Sequence, residues 1–261
     1  ANLDDSGQTA IVSYEIAGGY ATHLVARKAD GTVLWESPGE TDTVHGHLTV
    51  ADTDGDGKPN ILVHANEALS VYNERGEVVW RHSFYDGTGT RQLGEYARPV
   101  VFDLDGDGVP EIIMQTAYGI EFFDGRTGAS KANVTYASLG YPQTTYGPSN
   151  RTTPLVVDID GDGHAEVVFD IQPSTYPLDS WLVALKAQND DWQPARPVWT
   201  QYAMHDANVT DSGHLPYPEA NNFAAPATNV YANPARIAAP VDPRKREQAS
   251  FTYQAQADGL A

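Results

Sequence analysis

Three short stretches of this chain carry acids at a spacing suited to holding a metal ion. They are Asp52-Thr-Asp54-Gly-Asp56-Gly-Lys58-Pro-Asn60, Asp103-Leu-Asp105-Gly-Asp107-Gly-Val109-Pro-Glu111 and Asp158-Ile-Asp160-Gly-Asp162-Gly-His164-Ala-Glu166. Carboxylates at positions 1, 3 and 5, a main-chain carbonyl at position 7 and an acid or amide at position 9 can surround one hard cation with oxygen, the ligand set that Ca²⁺ takes. Lys58, Val109 and His164 would contribute only their carbonyl oxygens. Three carboxylates about 5 Å apart repel by roughly 3 kcal/mol per pair at an effective dielectric near 20, so each loop calls for a cation. The expectation is two or three structural Ca²⁺ ions. Their ligands would be filled by protein oxygens, which leaves no open position for a reacting water, and no catalytic residue is assigned.

An EF-hand begins in the same way but needs a bidentate Glu at position 12, where the middle loop has Met114. The flanks also differ. Each loop lies between β-branched, apolar runs: Leu48-Thr-Val-Ala51 and Ile61-Leu-Val-His64, Pro99-Val-Val-Phe102 and Ile112-Ile-Met-Gln115, Pro154-Leu-Val-Val157 and Val167-Val-Phe169. Such runs favour strands, so each loop joins two strands of a hairpin.

The loops begin at residues 52, 103 and 158 and are therefore spaced as internal repeats. A degraded copy opens the chain at Asn2-Leu-Asp4-Asp-Ser6-Gly-Gln8-Thr-Ala10, where Asn2, Asp4, Ser6 and the carbonyl of Gln8 would form a poor fourth site. A fainter echo spans Asn208 to Pro216. Each repeat also has a later half, seen in Leu69-Ser-Val-Tyr72, a Gly76 turn and Val78-Val-Trp80, with counterparts at His23–Ala26 and Val33–Trp35, at Ile120–Phe123, and at Trp181–Ala184 and Pro197–Trp199. Four short strands per unit of about 50 residues is the pattern of a β-propeller blade. The fold expected is all-β, with four four-stranded blades over residues 1–216 in a partial or small propeller. An extended tail follows at 217–261, rich in Ala, Pro and Asn, with one strand candidate at Ser250–Gln254. That tail is expected to add to a neighbouring copy by β-augmentation.

Trp35, Trp80 and Trp199 hold equivalent places and are read as packing between neighbouring sheets. Trp192, in an irregular stretch, is the candidate for an exposed glycan contact. His45 and His47 are read as strand-end histidines, and Asn133, Asn150 and Asn208 begin N-glycosylation patterns.

Composition narrows the function classes. The net charge of −19 over 261 residues argues against a nucleic-acid partner, and three bound Ca²⁺ would remove a third of it. There is no cysteine, hence no disulfide framework and no thiol chemistry. No apolar run is long enough to span a membrane. The chain starts at Ala1 with no signal peptide, which leads to the expectation of a mature secreted product or a piece of something longer. Weak oxygen sites suit extracellular calcium levels.

Repeated Asp-x-Asp-Gly-Asp-Gly-x-x-Glu loops between strands resemble the FG-GAP/VCBS repeats of integrin α propellers and bacterial surface proteins. The Phe-Gly and Gly-Ala-Pro signatures of integrin blades are absent, which favours the bacterial branch. The resemblance implies a calcium-stabilised, secreted or cell-surface module for adhesion, self-assembly or filament formation, binding itself or another surface protein through the tail and sheet edges. Two alternatives stay open: a relative of calcium-dependent rhamnogalacturonan lyases, which share phrases such as Phe123-Asp-Gly-Arg-Thr-Gly128, and a glycan-binding module.

Overall fold

The computed structural model describes residue 3 and residues 9–17, 21–37, 48–65, 68–84, 98–141, 153–171, 181–197, 209–210, 212–215 and 254–256. Among them the chain is all-β, in four antiparallel sheets built in sequence order. Sheet one holds β1 (Ala10–Ala17), β2 (Ala21–Lys28) and β3 (Val33–Glu36). Sheet two holds β4 (Leu48–Ala51), β5 (Asn60–Ala65), β6 (Ala68–Tyr72) and β7 (Val78–Ser83). In sheet three, β8 (Val100–Phe102), β9 (Glu111–Gln115), β10 (Gly119–Asp124) and β11 (Ser130–Thr135) follow in order. Sheet four has β12 (Leu155–Val157), β13 (Glu166–Ile171), β14 (Trp181–Lys186) and β15 (Gln254–Gln256).

The expected repeat is present, with two corrections. Sheet one has three described strands, β1 to β3, which match the second to fourth strands of the other sheets. Sheet four does not take its fourth strand from Pro197–Trp199: Pro197 is exposed outside any strand, and Val198 and Trp199 lie outside the described residues. Its place is filled by β15, whose Gln254, Ala255 and Gln256 face Lys186, Leu185 and Ala184 of β14. The described strand of the tail, β15, therefore completes a sheet of its own chain. Of the strand expected at Ser250–Gln254, only Gln254 falls in β15; the rest of 217–261 lies outside the described residues.

The sheets stack face to face, and each core cluster is the seam between two of them. Leu24 and Ala26 of sheet one meet Ile61, Val63 and Tyr72 of sheet two. Leu62, Leu69 and Val71 meet Val101, Ile112, Met114 and Phe123 of sheet three. The largest seam joins Phe102, Ile113, Ile120 and Phe122 to Val167, Phe169, Ile171, Val183 and Leu185 of sheet four. Sheets two and three are thus covered on both faces. This explains why β6 and β9 are buried at every position and carry apolar residues on both faces. Each fully buried Leu, Ile, Val or Phe here contributes about 1.5–3 kcal/mol.

Tryptophans pin the first two seams at their rims. Trp35 donates its indole N–H to the Glu74 carbonyl at 2.8 Å and Trp80 to that of Gly125 at 2.9 Å. Each ring lies against the turn of the next sheet, over a glycine at positive φ: Gly76 (+77°) under Trp35 and Gly128 (+70°) under Trp80, where any Cβ would strike the indole. The packing reading holds for both; Trp199 lies outside the described residues. Trp192 is not an exposed contact. It is only 3% exposed, and its ring lies 6.3 Å from Phe122 in the third seam. Removing one pin should be costly: Trp80→Ala is expected to lower stability by about 3 kcal/mol, read as an earlier midpoint in urea unfolding.

Candidate metal centres

Each loop closes on itself through the same five hydrogen bonds. The position-1 carboxylate accepts from the amides of positions 4 and 6: Asp52 from Gly55 and Gly57 (2.7 and 2.8 Å), Asp103 from Gly106 and Gly108 (2.8 and 3.1 Å), Asp158 from Gly161 and Gly163 (2.7 and 3.0 Å). Position 3 accepts from the amide of 5, and position 5 from that of 7, so Asp54, Asp105 and Asp160 hold Asp56, Asp107 and Asp162, which in turn hold Lys58, Val109 and His164. The fifth bond ties the end of the loop to its start. Asn60 Oδ1 accepts from Thr53 N at 2.8 Å, Glu111 Oε2 from Leu104 N at 2.7 Å and Glu166 Oε2 from Ile159 N at 2.8 Å. This bond explains the change from acid to amide in the first loop, since an amide oxygen caps as well as a carboxylate does.

These bonds bring the expected ligands together. Ligating atoms lie within 4.8 Å of one another for Asp52, Asp54 and Asp56, for Asp103, Asp105 and Glu111, and for Asp158, Asp160 and Glu166. Asp107 and Asp162 fall outside the tight groups. At position 7 the side chains point to other tasks, as expected for carbonyl ligands: Lys58 reaches Glu74, Val109 is buried, and His164 Nδ1 meets the Trp192 carbonyl. Asn2, Asp4, Ser6 and Gln8 lie outside the described residues, as do His45, His47, Asn150 and Asn208; Asn133 is exposed on β11.

Burial makes the negative charge expensive. It pushes the Glu166 carboxyl up to about 7; the Ile159 amide works against this, while Asp160, Asp162 and Asp158 add to it. Burial also raises Asp103, and it raises Asp54 with help from Asp56. The third loop shows most clearly what is missing. Glu166 is 2% exposed, one of its oxygens caps Ile159, and the other, Oε1, is buried with no hydrogen-bond partner. A buried carboxylate oxygen left bare costs several kcal/mol unless a cation meets it. An all-oxygen group around such an atom fits a hard divalent ion.

The loops also touch one another's repeats. A Cβ on Gly55 (φ +73°) would stand 2.1 Å from the Gly108 carbonyl oxygen, so the first loop rests directly on the second. Arg126, from the turn after β10, donates to the Asp54 carbonyl at 2.7 Å, and Gln193 N donates to Leu104 O at 2.7 Å. Sequence reading did not find Arg126, Gln193, Lys131 or Lys186. They lie 20 to 89 residues from the loop atoms they touch, and no local pattern marks them.

Two outcomes are expected. Gly55→Ala combines a left-handed backbone with a collision on main-chain atoms and should cost about 2–3 kcal/mol, measured by chemical denaturation. The second concerns pH. With a folded pKa of about 7 against an ordinary 4.5, metal-free native protein holds the Glu166 proton more tightly than the unfolded chain does. That contribution is complete below about pH 4.5 and is lost as pH rises through 7. Glu166→Gln keeps the cap and cannot ionise. In chelator it should match wild type near pH 4.5 and exceed it at pH 8; a gap that does not change with pH would contradict the assignment.

Residues 52–114 and 103–169 match the FG-GAP-like repeat model. Among solved structures, the chain is similar to the V. cholerae biofilm matrix protein Bap1, with 16% identity and a TM-score of 0.50 over 88% of this chain. It spans 43% of the length of that Bap1 chain. It also aligns with a Photorhabdus luminescens Tc holotoxin pore at 16% identity and a TM-score of 0.28, over 72% of this chain and 8% of that one. No curated protein matches the sequence. The loops, their flanking strands and the matched repeats agree: residues 52–169 of this chain are FG-GAP-like repeats.

Proposed function

We propose that the chain is a calcium-stabilised, non-enzymatic β-repeat module that works outside the cell in adhesion or in the assembly of a surface matrix. The observation that carries the calcium part is the bare, buried Glu166 Oε1 beside Asp158 and Asp160. Asp158, Asp160, Glu166 and the His164 carbonyl would hold one ion. Asp52, Asp54, Asp56, Asn60 and the Lys58 carbonyl would hold a second, and the Asp103–Glu111 loop is the remaining site. The ion would be structural: it would neutralise carboxylates that the seams force together and would not present a reacting group.

The extracellular setting is supported by the name of the Bap1 likeness, a biofilm matrix protein, and by the oxygen-only ligand sets, which suit calcium at extracellular levels. The partner would be another surface or matrix component. The glycan reading loses its main contact, because Trp192 is buried in a seam. The lyase reading predicts unsaturated uronate products from pectin, and the chain is expected to yield none.

Calcium binding to the native state alone should stabilise it by about 2.7 kcal/mol per site at one hundred times the dissociation constant. Thermal unfolding in calcium and in EDTA measures this, and equal melting temperatures would sink the calcium reading. For adhesion, labelled protein should be retained on matrix-producing cells in calcium and released by EDTA; identical retention of an unrelated acidic protein would contradict it.

A further inference from the structure

The middle loop comes with a cation already attached. Lys131 Nζ lies 2.6 Å from Asp105 Oδ2 and 2.5 Å from Glu111 Oε1, and those two carboxylate side chains are 8% and 0% exposed. They are the position-3 and position-9 oxygens that an ion would use. The equivalent oxygen of the third loop, Glu166 Oε1, is bare.

Lys131 reaches the loop through a defect in its strand. Phe122 pairs with Ala132 but Phe123 pairs with Ser130, so Lys131 is the extra residue of a β-bulge, a device that re-aims side chains. The same slip recurs in sheets one and two, where the extra residues are Leu34 and Val79. Neither offers a charge. Between β14 and β15 the pairing runs without a slip. Neither of the lysines near the other two loops contacts the position-9 side chain as Lys131 does. Lys58 pairs with Glu74 at 3.4 Å. Lys186 sits 3.0 Å from Asp190 and only 3.4 and 3.5 Å from Asp160 and Asp162, at the rim.

We infer that Lys131 is a built-in counter-ion of the Asp103–Glu111 loop, which therefore keeps its shape without metal and takes calcium more weakly than the loops at Asp52–Asn60 and Asp158–Glu166. This inference rests on the reading of the loops as calcium sites. It reverses the order that acid count alone would give. An entering ion must displace the ammonium from the same two oxygens, and the displaced charge stays tethered nearby and repels the ion.

The test is calorimetric titration of calcium into the chelator-stripped full chain, in wild type, Lys131→Met and Val79→Lys. Wild type should show two tight sites and one at least about ten-fold weaker, a gap of the size that one nearby unit charge produces. Lys131→Met should bring the third site into the tight class. The same variant should melt below wild type in EDTA and recover in calcium. Val79→Lys places a lysine at the equivalent exposed position of sheet two and should weaken one tight site. Calcium binding by wild type with unchanged isotherms in both variants would overturn this inference alone. No binding by wild type would overturn the calcium reading and this inference with it.

Discussion

The structure depends on one hydrogen bond repeated three times: the side-chain oxygen at position 9 of each loop accepts the amide of position 2. It closes the loop, sets the register of the two strands that leave it, and places the position-9 residue at the head of a buried strand. The same bond creates an electrostatic problem. Where position 9 is Glu, closing the loop carries a carboxylate into the interior among two or three others, and the burial that the seams provide raises its pKa. The chain answers in three ways. Asn60 removes the charge, Lys131 opposes it, and in the third loop Glu166 keeps one oxygen bare for an ion.

The loops and the seams form a single construction. Trp80 donates to the Gly125 carbonyl, and on that same turn Arg126 holds the Asp54 carbonyl of the preceding loop. Gly125 itself leaves no room for a Cβ between Thr53 O and Pro110 O. A disturbance in one loop therefore meets the next sheet directly, through main-chain atoms that cannot move aside. The stack resembles other repeat architectures in which each unit buries its apolar face only against its neighbours.

Much of this was legible in the sequence, because the loop chemistry is local. Side chains bonding to amides two to five residues away fix the turns, and the apolar runs on either side fix the strands; β4, β6 and β10 fall where Leu48–Ala51, Leu69–Tyr72 and Ile120–Phe123 placed them. What could not be read depends on distant pairing. The fourth strand of sheet four comes from residues 254–256, about seventy positions beyond its partner, and nothing local distinguishes a strand that pairs within its chain from one that pairs outside it. Trp192 lies in an irregular stretch with no period, so its burial against Phe122 left no trace in the pattern. Lys131 carried no signal in the sequence, because a bulge depends on the neighbouring strand.

The most direct measurement is the anomalous difference density of crystals grown in calcium. A peak is predicted among Asp158, Asp160 and Glu166, with Glu166 Oε1 about 2.3–2.6 Å from it, the calcium–oxygen distance. Density showing that oxygen on water alone, with no anomalous peak in the loop, would contradict the account.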